Sequence, residues 1–212
     1  MTRSEIKTMI RNLLAESATD FFTDAKLNLA IYEACKQAAI DTNYIRVITT
    51  STTSTEGTAE YSYPSNALGF FKICWDGDET ELEYRTKSQL SNDYPDWRSD
   101  GNGTPWCWTD GDTTGKFRLY PCPNITAKVI KMYSYNVPSD FSTDSASSDF
   151  PDYFKAAIAL YACYFLKLGD PDANQQEGAK FLAMYGAAIT QLQSIVANPT
   201  AGPTFISSSL RW

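Results

Sequence analysis

The spacing of apolar residues along this chain changes period twice, and no single layer of secondary structure accommodates both periods. From Arg3 to Ser17, Ile6, Met9, Ile10, Leu13 and Leu14 fall at i, i+3, i+4, i+7 and i+8, one face of a helix. After Thr23, a good N-cap, Leu27, Ala30, Ile31, Ala34, Cys35 and Ala38 repeat that spacing to about Thr42. Between Ile45 and Pro138 it vanishes. Seven short runs rich in β-branched and aromatic residues (IRVITT, AEYSYP, FFKICWDG, TELEYRT, TPWCWTDG, KFRLYPCP and KVIKMYSYNVP) take its place, and each predicts a strand. Helical spacing returns after Pro151, which suits a first helical turn. Ala156 to Leu166 carries no charge over three turns, so that helix must be enclosed, with Tyr161 and Phe165 in its core. Leu168-Gly169 ends it, Asp170-Pro171 opens the next, and Phe181, Leu182, Tyr185, Ala188, Ile189, Leu192 and Val196 form the last stripe.

Helical ends around a β-rich middle predict an α+β fold. Residues 1–44 and 139–198 form an antiparallel bundle of about four helices, and 45–138 form a β-rich module inserted between helices two and three. Residues 199–212 leave as an extended tail, because Pro199, Pro203 and three serines break any helix. Phe205, Ile206, Leu210 and Trp212 give that tail apolar area without a core of its own, so it is expected to gain order on a partner. Within the β part, Ser88 to Gly103 starts like a short helix and ends in a Gly/Asp/Asn loop. Tyr94, Trp97 and Arg98 there combine contact area with mobility, as an interface loop does, although Trp97 is equally placed to cap the β core.

Composition removes several classes of chemistry. The chain has no histidine, which excludes Ser-His-Asp and Cys-His hydrolase arrangements, His-containing zinc sites and imidazole bases. Five dispersed cysteines with no CxxC fit reduced, mostly buried thiols and synthesis in a cytoplasm, and the charged N-terminus lacks a signal peptide or membrane span. A net charge of −7 gives no reason to seek phosphate backbones. Gly111 to Lys116 is one residue short of a phosphate-binding loop and joins two strands, so it reads as a hairpin turn. Asp110 and Asp112 copy the start of a calcium loop, but its twelfth position is Pro121, so any cation there would be adventitious. The acidic run Asp76, Asp78, Glu79, Glu81 and Glu83 reads as a solvated turn, not a glycosidase pair. No catalytic residue, metal site or cofactor is expected. Trp75, Trp97, Trp106 and Trp108 leave one alternative of another class, an aromatic-rich glycan-binding or other structural module, with core packing of at least half of them the simpler reading.

Several short motifs occur in order. Gly57-Thr58-Ala59-Glu60-Tyr61-Ser62-Tyr63-Pro64 follows the Thr-rich first strand; then come Gly103-Thr104-Pro105, Leu119-Tyr120-Pro121-Cys122-Pro123, Tyr135-Asn136-Val137-Pro138, and Phe150-Pro151-Asp152-Tyr153 at a helix start. From about Asp24 to Leu192 this order resembles the adaptor, or head-to-tail connector, proteins of tailed bacteriophages. Their G-x-x-x-Y-x-L-P, G-x-P, L-x-P-x-P and P-x-x-Y elements recur in this sequence, here with Tyr63 in place of the usual Leu. The resemblance implies a structural virion protein and not an enzyme, made in the host bacterial cytoplasm and located at the virion neck. It implies a ring, usually dodecameric, beneath the portal protein, carrying a tail tube or nozzle component. The genome DNA would pass through the lumen without sequence-specific binding, and no membrane is involved. Phe205, Ile206, Leu210 and Trp212 are then expected to meet the portal or a neighbouring subunit, and Tyr94, Trp97 and Arg98 the tail component.

Overall fold

The computed structural model describes residues 1–15, 22–77, 80–139, 143–169 and 175–197. In chain order the elements are α1 (Arg3–Leu13), α2 (Asp24–Thr42), β1 (Arg46–Thr53), β2 (Glu60–Ser62), β3 (Ala67–Trp75), β4 (Thr80–Glu81) and β5 (Glu83–Tyr84). There follow α3 (Lys87–Asp93), β6 (Cys107–Asp110), β7 (Lys116–Tyr120), β8 (Val129–Asn136), α4 (Lys155–Leu168) and α5 (Gln175–Ala197). The expected architecture, a bundle of about four helices carrying a β insertion, is corrected by this inventory. Five α-helices and two four-stranded sheets are present among the described residues, and the chain divides into two compact units, Met1–Ile45 with Val137–Trp212 and Arg46–Asn136. The second unit has its own helix and its own hydrophobic cores, which makes it a body in its own right.

In the first unit, α1 begins with a capping box. The Thr2 hydroxyl accepts from the Glu5 amide while the Glu5 carboxylate accepts from the Thr2 amide, satisfying two otherwise orphaned donors. The helix ends at Leu13, short of the expected Ser17. Thr23 caps α2, and Asn43 closes it in the left-handed region at φ 49°. Ile6, Ile10, Leu27, Ile31, Phe154, Ile158 and Cys163 are fully buried in one core drawn from α1, α2, α4 and the turn before α4. Tyr44 packs on Phe150 and Phe154 at 5.8 and 5.0 Å. Tyr161 and Phe165, expected inside, are only half-buried: four residues apart, they share one stripe of α4 that packs at the edge of the core. A polar tie joins two helices: the Tyr185 hydroxyl of α5 donates to Asp41 of α2 at 2.6 Å.

In the second unit the run TELEYRT supplies two strands to different sheets, which is why seven expected strands become eight. Leu82 sits buried at the switch, its amide donating to Ile73. Before it, β4 pairs with β3; after it, β5 pairs in parallel with β6. One sheet has the order β1-β8-β3-β4, the other β2-β7-β6-β5. Ile73, Trp75, Ile130 and Met132 of the first meet Tyr61, Trp108, Phe117 and Leu119 of the second in a shared core. On the opposite face of the second sheet Cys107 and Tyr120 form a smaller core with Leu90 of α3 and Trp97. The alternation of β6, Cys107 one way and Trp108 the other, serves both. Helix α3 was only hinted at in the sequence; Thr86 and Gln89 give it a capping box.

Two predictions follow from this packing. Phe154→Ala should cost about 3–5 kcal/mol in urea titration as a large core truncation, and Tyr161→Ala distinctly less. Burial pushes the Cys35 and Cys163 thiols up to about 12 and, with the Asp41 contact, raises the Tyr185 hydroxyl above its usual range. Each group keeps its proton in the folded chain where the unfolded chain has lost it. Stability should therefore be full below roughly pH 8.5, where unfolded Cys begins to ionise, and should fall as pH rises through the unfolded Tyr value near 10. Urea midpoints measured on the alkaline side check this.

Candidate partner-binding site

The loop after α3 lies over the smaller core of the second unit. Trp97 is 2% exposed, its indole N–H donating to Ser91 Oγ at 3.0 Å, and the Arg98 and Arg118 guanidinium groups lie 4.3 and 5.3 Å from its ring centre. Tyr94 is 40% exposed; its ring packs 5.5 Å from Tyr120 and 5.8 Å from Trp106. Arg98 is half exposed. The three residues singled out from the sequence therefore come together, but with unequal access: Trp97 anchors the loop from below while Tyr94 and Arg98 face outward.

A set of ion pairs and hydrogen bonds ties the loop to its surroundings. Asp112, in the β6–β7 hairpin, forms ion pairs with Lys87 of α3 at 3.0 Å, Arg98 of the loop at 3.4 Å and Arg118 of β7 at 3.4 Å. The Lys87 hydrogen bond, followed by that of Arg98, holds the Asp112 carboxyl below the usual carboxylate range. Arg118 also donates to the Arg98 carbonyl, and the Tyr120 hydroxyl to Asp100 at 2.6 Å. Gly111 to Lys116 is a hairpin turn closed by the Gly111 amide on the Lys116 carbonyl; a Cβ at Gly111 would stand 2.7 Å from that oxygen. With three cations on Asp112, its role is to fasten a loop. Lys87 and Arg118 had no sequence signal for this, being 25 residues before and six residues after Asp112.

Three of the ordered motifs, those at Gly57, Gly103 and Leu119 to Pro123, meet in space. The Gly57 amide donates to the Pro123 carbonyl, the Gly103 amide to Cys122, and the Asn124 amide to Gly103. Gly57, at φ 75°, makes the turn that the Tyr61 hydroxyl closes by donating to the Thr58 carbonyl at 2.8 Å. A Cβ on Gly103 would press on Pro121 at 3.2 Å. These short patterns are thus packing requirements of one corner of the second unit.

A second surface was not anticipated. The residues Ala67 to Phe71 of β3 line an open cleft of about 480 Å³ with Tyr63, Tyr84, Trp108 and Asp110. Tyr63 stacks on Phe70 at 4.4 Å, Tyr84 leans on Trp108 at 4.7 Å, and the Tyr84 hydroxyl donates to Asp110 at 3.0 Å. Burial, with the Asp110 carboxylate nearby, raises the Tyr63 hydroxyl above its usual range. Beside the cleft, Phe71 is 43% exposed and packs on Tyr133 and Tyr135, with Arg46 5.8 Å from its ring centre. Alternation in β8 carried the signal for Tyr133 and Tyr135. Nothing in the sequence showed which stretch of β3 would lack a neighbour.

Trp75, Trp97 and Trp108 are buried, so these three are core residues and not open stacking platforms. Asp76 pairs with Lys128, Glu81 with Lys72 and Glu83 with Arg85. All five cysteines are free thiols, four of them buried. Among the described residues no His, Cys, Asp and Glu side chains gather as a metal site needs, and no helix is long and apolar enough to cross a membrane. Phe205, Ile206, Leu210 and Trp212 lie outside the described residues. No curated protein matches the chain. A family model described as SU10 adaptor protein matches residues 1–204, and the chain accordingly belongs to that family of phage head-to-tail adaptors, structural proteins and not a class of enzymes.

Proposed function

We propose that copies of this chain form a closed ring, of dodecameric size, beneath the portal of a tailed phage, joining capsid to tail and surrounding the DNA passage. The observation that carries the reading is the family match across residues 1–204. Adaptors of this family are associated with portal and tail components, which supports a position at the virion neck. The charge of −7 supports a conduit, since a lumen that repels phosphate lets a genome slide without sticking. Synthesis in the host cytoplasm agrees with the free thiols.

In this reading the loop holding Tyr94, Trp97 and Arg98 meets the tail tube or nozzle component. Its ties to Asp112 support that role, because a loop ordered in advance loses less entropy on binding. Residues 199–212 act as a separate segment that meets the portal or a neighbouring subunit.

Native mass spectrometry of the isolated chain should give monomer or mixed oligomers, with closed rings appearing when portal is added; stable closed rings of the chain alone would show that the portal is not required. Neighbouring subunits in the assembled ring should bury more than about 1,000 Å² of total surface per interface. Replacing Tyr94 and Arg98 together by Ala should weaken binding of the tail component about tenfold with the fold intact. Asp112→Asn should lower stability by no more than about 1 kcal/mol, as exposed ion pairs do, while speeding amide exchange across 94–103.

A further inference from the structure

Strand β3 is nine residues long, yet its neighbour β4 pairs only with Cys74 and Trp75. The Leu82 amide reaches the Ile73 carbonyl, and beyond that point no strand among the described residues lies beside Ala67 to Lys72 on this side. An edge of this length presents unpaired amides and carbonyls that template a further strand. It also forms one wall of the aromatic cleft, and a second opening of about 410 Å³ continues it past Phe71 and Tyr84 to Lys72, Glu81, Leu82 and Glu83. Leu68 is 40% exposed beside open space at Gly69. Free backbone flanked by apolar recesses is the arrangement used in strand addition, where the backbone gives affinity and alternate side chains give selectivity.

We propose that this edge receives residues 204–212 of a second copy of the chain as an added strand, an inference that rests on the ring reading and names the surface through which neighbouring copies engage. Three features of the segment fit the site. It has nine residues and no proline, so it lacks no backbone donor and is long enough to run along the six residues of β3 that have no strand beside them. Three of its four apolar residues, Ile206, Leu210 and Trp212, share one parity with Ser208, so one side of a strand would present all three to the cleft of Tyr63, Tyr84 and Trp108, with Phe205 on the other side. Its charge is also complementary. Arg211 is the sole charged residue of 198–212, whereas the two openings are lined by Asp110, Glu81 and Glu83 against Lys72, itself paired with Glu81 at 3.2 Å. Donor segment and acceptor edge are different surfaces, so the contact is head-to-tail, the kind that closes a ring when the rotation between copies permits.

Hydrogen exchange of the full chain tests this directly. The amides of 68–72 that face away from β8 should become protected as concentration rises, and deleting Thr204 to Trp212 should abolish that dependence. A synthetic peptide of residues 203–212 should restore protection to the truncated chain. A Ser208→Pro peptide, or Leu68→Lys in the acceptor, should bind about tenfold or more weakly. Protection independent of concentration would mean that the chain's own segment fills the edge, and protection only on adding portal or tail component would assign the edge to them; either overturns the proposal, as does a peptide that leaves those amides unprotected. Imaging with portal separates the two readings. Rings of truncated chain on the portal, with no peptide binding, sink the strand contact alone, whereas peptide protection of those amides without rings on the portal sinks the adaptor ring alone.

Discussion

Strands β6 and β7 of the sheet β2-β7-β6-β5 carry a buried core on each face, and the rest of the second unit is arranged to satisfy that demand. One face needs a second sheet, which supplies Ile73, Trp75, Ile130 and Met132 against Trp108, Phe117 and Leu119. The other face is covered by a seven-residue helix and a loop, through Leu90 and Trp97 over Cys107 and Tyr120. Because β6 is only four residues long, one residue of slippage would exchange Cys107 and Trp108 and empty both cores. The register of this short strand therefore fixes the position of α3, of the loop behind it and of the exposed Tyr94 and Arg98.

Electrostatics then fastens what packing has placed. Asp112 collects Lys87, Arg98 and Arg118 from three elements, each pair individually weak because it is open to solvent, but jointly a tie across helix, loop and hairpin. The first unit uses the same device: Asp144 accepts from both Arg3 and Lys7, holding the segment before α4 against α1. In an acidic chain such clusters concentrate the available cations where connecting segments must be held. The carboxylates beside the β3 cleft include Asp110, which accepts a hydrogen bond from the Tyr84 hydroxyl and adds negative charge to that region.

The helices were legible because their signals are local. Thr23 as a cap and the Leu27–Ala38 stripe define α2 without reference to anything else, and the burial of Ile6 and Ile10 follows from spacing. The β part was legible as strands but not as sheets. TELEYRT has one uninterrupted strand-like pattern, and its division at Leu82 is dictated by partners, β3 on one side and β6 on the other, that lie 5 to 24 residues away in sequence. The same limit applies to Trp97. Its residue type suits a contact surface or a core equally well, and only the rings and guanidinium groups gathered around it decide for burial.

By itself the sequence determined the helical and extended periods, the cap that starts α2, the exclusion of histidine chemistry, and the ordered glycine and proline motifs that mark the adaptor family. Those properties depend on residue type and on neighbours within a few positions. Tertiary structure alone decided the two-sheet topology, the third helix as the cover of a second core, the gathering of Gly57, Gly103 and Pro123 at one corner, and the uncovered edge of β3. Each of these is a pairing between distant segments, and a backbone amide carries no mark in the sequence of whether a partner strand will reach it.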